Sequence, residues 1–182
     1  MPLPKEYHYT SEDYWNLPEG ERAELIGGKL YAMAPPKRVH QELIAQFTKI
    51  FGNYIDAKHG NCKIYPAPFA VNLNESDETW VEPDISIICD KTKLTEKGCL
   101  GAPDFIIEIV SPSSRYMDYS IKNALYSNAG VREYWIVDTM KKRTTIYHYE
   151  EDAAPTILPF DKTITVGIYN DLTINIAELL EQ

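Results

Sequence analysis

Apolar residues along the chain fall into two periods. From Arg38 to about Lys58, the positions Val39, Leu43, Ile44, Phe47, Ile50, Phe51 and Tyr54 recur at helical spacing and predict one long amphipathic helix, ended by Gly60. Elsewhere the apolar runs are short. DFIIEIV (104–110) and EYWIVD (133–138) are almost continuously apolar or aromatic, the pattern of strands buried on both faces. Between them, Tyr116 to Ala129 reads as a helix, with Ile121, Ala124, Leu125 and Ala129 available for packing and Gly130 as its terminator. Strand, crossover helix and strand predict a βαβ unit, right-handed as nearly all such crossovers are.

The remaining segments are turns and hairpins. Thr10-Ser11-Glu12-Asp13 supplies capping residues for a short helix near 11–16. AELIGGKLYAM has two apolar-rich arms around Gly27-Gly28 and predicts a hairpin closed by Pro35-Pro36. KIYPAPFAVNL and WVEPDISIICD have strand character, with prolines that mark edges or breaks. Lys91 to Leu100 reads as a loop or short helix. KKRTTIYHY pairs back on EYWIVD across Thr139 to Lys142, and the tail holds a short strand or two and a last helix at 173–181. The sum is an α/β fold: a mixed sheet flanked by helices, with hairpins at both ends and one βαβ crossover, read as one domain over residues 1–182.

One position breaks the apolar pattern. Glu108 sits inside DFIIEIV and shares a face with Ile106 and Val110. A carboxylate there is costly unless paired, protonated or bound to a metal. Asp84, after Pro83 in VEPDISIICD, stands at the mouth of another apolar run. If the two strands are neighbours the carboxylates converge, and a hard cation such as Mg²⁺ between them relieves their repulsion, with the Ile109 carbonyl as a further oxygen. On the crossover helix, Asp118 and Lys122 are spaced i, i+4, and Tyr126 continues that face. A lysine ammonium there can approach the same point. Taken singly, each residue also fits an exposed strand glutamate, a Pro-Asp turn and a solvated helix pair.

Composition narrows the choice without deciding it. The 44% hydrophobic and 25% charged content is that of an ordinary globular chain. No apolar run is long enough for a membrane span, and MPLPKEYHYT lacks a signal-peptide core, so the expected location is cytoplasmic. Cys62, Cys89 and Cys99 make an odd count without CxxC spacing, which argues against a disulfide framework or zinc ribbon and predicts a buried thiol at Cys89. The formal net charge of −9 is unusual for a protein that grips phosphates; only Lys37-Arg38 and Lys141-Lys142-Arg143 form short basic clusters. Trp80, Tyr134 and Trp135 can stack on bases, although strand aromatics are more often core.

Asp before one strand, Glu within the next and a nearby Lys resemble the PD-(D/E)XK nuclease superfamily. VEPDISIICD, GAPDFIIEIVSPSSRYMDYSIKNALYSNAGVREYWIVD and RAELIGGKLYAMAPPKRVHQ resemble, more narrowly, the bacterial Uma-type family of restriction endonucleases, over roughly residues 7 to 150. The resemblance implies a restriction-endonuclease-like core and a Mg²⁺- or Mn²⁺-dependent endonuclease acting on DNA. By it, Asp84 takes the role of the motif Asp and Glu108 that of the acidic residue two positions before the motif lysine. That lysine position holds Val110 here, and Lys122 is the candidate replacement from the following helix. Glu24 matches an acidic residue from an N-terminal element, and His40 a histidine at the start of the long helix that can contact the scissile phosphate or a water. Asp118 is expected to orient Lys122. A homodimer with two sites facing a duplex suits two-strand cutting. Two competing classes stand beside this reading: a nuclease-fold binding module without turnover, and a hydrolase of small phosphorylated metabolites, which lacks a Gly-rich phosphate cradle.

Overall fold

The computed structural model describes residues 7–151 and 153–181. Residues 1–6, the start of the stretch read as lacking a leader, lie outside them. The elements in chain order are α1 (Ser11–Trp15), β1 (Ala23–Ile26), β2 (Lys29–Ala32), α2 (Arg38–Ala57), β3 (Lys63–Pro66), β4 (Val71–Asn72), β5 (Ile85–Ile88), β6 (Leu94–Thr95), β7 (Gly98–Leu100) and β8 (Phe105–Val110). A π-helical stretch, Met117–Lys122, leads into α3 (Asn123–Ala129). Then come β9 (Glu133–Asp138), β10 (Arg143–His148), β11 (Thr156–Pro159), β12 (Thr163–Thr165), β13 (Thr173–Asn175) and α4 (Ile176–Leu180).

The main sheet has the order β11-β10-β9-β8-β5-β3. Only β8 and β9 run parallel, in the register Glu108 opposite Ile136 and Val110 opposite Asp138; the other neighbours are antiparallel. Both central strands are buried along their whole length, which is why they carry no polar alternation. One face of the sheet presents Ile85, Ile87, Phe105, Ile107 and Trp135 to the apolar stripe of α2, formed by Leu43, Ile44, Phe47 and Phe51. The other presents Ile88, Ile106, Val110, Tyr134 and Ile136 to Tyr126 and Val131 of the crossover. Glu108 lies on this second face, as strand alternation requires.

Several details differ from the sequence reading. The hairpin β1–β2 forms a separate two-stranded sheet, tied to the rest through a bridge between Leu25 and Trp80. Lys91 to Leu100 is neither loop nor helix alone: a 3-10 turn at Lys91–Lys93 precedes the hairpin β6–β7, and β7 also pairs in parallel with β4. Gly98 permits this, because it has φ +132° and a Cβ there would lie 2.1 Å from the Ala70 carbonyl oxygen. The tail holds three strands, and its helix begins only at Ile176 because 173–175 is β13. Cys62 and Cys89 are joined in a disulfide, contrary to the expected thiol, and Cys99 is the buried free cysteine. The register of β3 on β5 sets Lys63 opposite Ile88, so the flanking cysteines face each other across strands, a proximity that spacing along the chain does not reveal.

α2 ends in a Schellman arrangement one residue earlier than read. The Gly60 N–H donates to the Ile55 carbonyl and His59 N–H to that of Asp56, with His59 at φ +50°. The steric penalty that a Cβ meets at positive φ therefore falls on a histidine. His59→Gly is expected to stabilise the protein by about 0.5–1 kcal/mol, read as a higher urea midpoint at unchanged slope.

Candidate functional site

The start of β5 and the middle of β8 create the site. β5 pairs with β8 only as far as Ile85 opposite Ile107. Beyond it the strand is replaced by the Asp84 side chain, whose Oδ2 accepts a hydrogen bond from the Ile109 N–H at 2.7 Å. A strand residue directs its N–H and C=O toward the same neighbour, so the Ile109 carbonyl faces the same gap. His40, in the first turn of α2, brings Nε2 to 3.0 Å from Asp84 Oδ2. Its Nδ1 is buried without a hydrogen-bond partner.

Lys122 is buried, and its Nζ lies 2.8 Å from both Glu108 Oε1 and Glu24 Oε1 and 4.0 Å from Asp118. Tyr126, one helical turn on, donates its hydroxyl to Glu108 Oε1 at 2.6 Å. Glu24 reaches the cluster from β1 and also accepts the Glu82 N–H at 2.8 Å. The structure thus gathers Glu24, His40, Asp84, Glu108, Ile109, Asp118 and Lys122 in one place. Val110, at the usual lysine position, packs in the core cluster on the crossover face.

Four carboxylates share this buried volume with one lysine. Burial pushes the Glu108 carboxyl well above its ordinary range, Lys122 draws it down, and Asp118, Asp84 and Glu24 raise it again. Asp118 rises to about 6, chiefly by burial, against the opposing pull of Lys122 and a hydrogen bond from Ser114. Burial works against the Lys122 ammonium, but Glu108, Glu24 and Asp118 outweigh it and hold the lysine charged. Burial and Glu108 keep the Tyr126 hydroxyl protonated, hence a donor. For Asp118 the folded state holds the proton more tightly than the unfolded chain, so its contribution to stability is full below about pH 4 and is lost as pH rises through about 6. Asp118→Asn is expected to remove a gain of at most about 3 kcal/mol on acidification, checked by urea unfolding at pH values across that window.

The donor set fits a hard divalent cation. The contacts named above use Asp84 Oδ2 and Glu108 Oε1, so Asp84 Oδ1 and Glu108 Oε2 are engaged in none of them. The excess of carboxylates over ammonium is the charge pattern a cation relieves. Among the described residues no three His, Cys, Asp or Glu side chains are arranged to hold a metal ion. Two carboxylates, a carbonyl and waters are the sparse oxygen set that Mg²⁺ accepts.

Sequence reasoning left out Tyr126 as a partner of Glu108 and missed Glu82. The Glu82 carboxylate receives the Tyr14 hydroxyl at 2.9 Å and the Arg22 guanidinium at 2.5 Å, while its backbone N–H donates to the Glu24 carboxylate. Tyr126 was visible as the next residue on the Asp118–Lys122 face; Glu82 had no signal beyond its place next to Pro83. Trp135 and Tyr134 are wholly buried and Trp80 nearly so, which makes them core.

The family model described as "Uma2: Putative restriction endonuclease" matches residues 11–177. The chain is 25% identical over 162 residues to the uncharacterized protein slr1290 of Synechocystis sp., covering 87% of this chain and 82% of that one. It superposes with a TM-score of 0.77 on the crystal structure of a putative nuclease belonging to DUF820 from Anabaena variabilis, at 18% identity, over 94% of this chain and 97% of that chain. At that identity the likeness is one of fold.

Proposed function

This chain belongs to the Uma2 family of putative restriction endonucleases, and from that premise we propose that it is a divalent-metal-dependent endonuclease that hydrolyses phosphodiester bonds in DNA. One observation carries the reading. A buried lysine from the crossover helix lies 2.8 Å from the strand glutamate, beside an aspartate held on the next backbone N–H of that strand. Asp84, Glu108 and the Ile109 carbonyl would hold Mg²⁺ or Mn²⁺. When bound, such an ion supplies Lewis acidity, screening phosphate charge and favouring ionisation of water.

The side chains supply positioning and charge. Lys122 orients the attacking water and offsets negative charge that develops on the phosphate. Glu24 and Asp118 hold the ammonium, and Tyr126 donates to the same Glu108 oxygen that the ammonium contacts. His40 stands on Asp84, where it can meet a phosphate oxygen or a water. In-line attack leaves 5′-phosphate and 3′-hydroxyl ends. The same reading includes cytoplasmic residence and a homodimer that sets two sites against a duplex. Among the described residues no helix is long and apolar enough to cross a membrane.

Calorimetric titration of Mg²⁺ and Mn²⁺ into the wild type and Glu108→Gln, followed by plasmid cleavage assays, tests the proposal. Heat in the wild type that is lost in the variant supports it. Heat in neither selects the second reading, a nuclease-fold binding module without turnover, which the burial of Glu24, Glu108, Asp118 and Lys122 favours.

A further inference from the structure

Glu108 is not the only charged residue at its end of the sheet. The register puts Asp138 of β9 opposite Val110, two residues beyond Glu108 along β8, and Arg143 of β10 opposite Asp138. Cross-strand partners share a face, so Arg143, Asp138 and Glu108 all lie on the crossover side. From strand spacing and rise, the Asp138 and Arg143 backbones stand roughly 8 and 12 Å from that of Glu108. Arg115, in the turn after β8, reaches Asp138 at 2.5 Å and lies over the Tyr119 ring at 4.9 Å while remaining about a third exposed. The turn from β9 to β10 then adds Lys141 and Lys142, both exposed. Asp161 and Lys162 lie close by, since the Phe160 N–H donates to the Lys142 carbonyl. Five cations, Arg115, Lys141, Lys142, Arg143 and Lys162, thus stand against three carboxylates, Glu108, Asp138 and Asp161, in a chain whose formal net charge is −9.

Two further features set this edge apart. Lys142 has φ +47°, a conformation that favours glycine or asparagine, so the turn carries a charge where backbone geometry asks for none. Arg143 Nε is buried without a hydrogen-bond partner. The other basic cluster is weaker by comparison, because Arg38 is paired with Glu42 on its own helix.

We infer that Arg115, Lys141, Lys142 and Arg143 form a phosphate-binding tract that holds the sugar-phosphate backbone of duplex DNA as it runs away from the Glu108 site. The inference rests on the nuclease reading for its substrate and extends it to residues outside the metal cluster. It explains how an acidic protein holds a polyanion: favourable charge is concentrated on one sheet end, where counterion release acts.

The test is fluorescence anisotropy of a short labelled DNA duplex, in EDTA, with the full-length wild type and the double variant Lys141→Ala/Lys142→Gly. The variant is expected to bind about tenfold more weakly at moderate salt, and the slope of log K against log salt to flatten by about two. Its melting temperature is expected to hold or rise, because glycine suits φ +47°. Unchanged affinity and slope, or no duplex binding by the wild type, overturns the tract. So does tighter binding of the wild type to vesicles rich in anionic lipid, lost in the variant, with the duplex ignored. Hydrolysis of bis(p-nitrophenyl) phosphate by the wild type with Mn²⁺ reports the metal site separately. If that ester is untouched while duplex binding falls in the variant, the tract stands and the hydrolytic reading fails.

Discussion

On the proposed function, Glu108→Gln is expected to lower metal-dependent cleavage by at least about a hundredfold, with a melting temperature at or above that of the wild type. Glutamine keeps the size of the side chain and an oxygen to accept the Tyr126 hydroxyl, now 2.6 Å from Oε1. What it removes is a negative charge. That charge is disfavoured by burial and by Asp118, Asp84 and Glu24, and is favoured by Lys122. Lys122 does not become unpaired, since Glu24 remains 2.8 Å away and Asp118 4.0 Å. Stability is therefore expected to be conserved or improved while the proposed metal ligand is lost. Initial cleavage rates and a thermal melt of both proteins check the two halves. Wild-type rates in the variant take Glu108 out of the chemistry. A melting temperature lower by many degrees makes it a structural residue instead.

The elements that set the site were legible because each has a strong local cause. The stripe from Val39 to Tyr54 has the helical period, and it packs on the sheet as that period requires. DFIIEIV and EYWIVD were readable as buried strands because both their faces are covered, by α2 on one side and the crossover on the other. The alternation of Ile106, Glu108 and Val110 put the three on one face of the strand, and the structure makes that the crossover face, where Lys122 and Tyr126 meet the glutamate.

What escaped depends on contacts between distant segments. β6 and β7 exist because Gly98 lets backbone approach Ala70, and a lone glycine in a polar stretch does not announce that. The Cys62–Cys89 bond follows from the register of β3 on β5, which no count of cysteines contains. The detachment of β1–β2 from the main sheet depends on the Leu25–Trp80 bridge, again between remote residues. Glu24 was singled out by resemblance; its reason for being where it is, the Glu82 N–H and the Lys122 ammonium, is tertiary.

Lys122→Met is expected to destabilise the protein by about 3–5 kcal/mol, a fall in melting temperature of roughly 6–20 °C. Methionine fills much of the same volume but leaves Glu24 and Glu108 facing each other in a buried space without the ammonium that both now contact at 2.8 Å. Breaking a buried ion pair from one side costs more than the pair itself contributes, because the orphaned charge has no water. The orphaned carboxylates answer by taking up protons, so the deficit shrinks as pH falls: the Glu108 carboxyl is already raised above its ordinary range by burial, and without Lys122 it rises further. Melts of wild type and variant near pH 8 and pH 5.5 should therefore converge on the acid side. Adding Glu108→Gln to Lys122→Met recovers part of the loss, and the size of that recovery in a double-mutant cycle measures the coupling. Mg²⁺ should likewise raise the melting temperature of the single variant, since a divalent ion at Asp84 and Glu108 supplies the charge that the lysine no longer does. A deficit that is small and independent of pH would mean that Lys122 is solvated in solution, and its part in holding the carboxylates for catalysis would go with it.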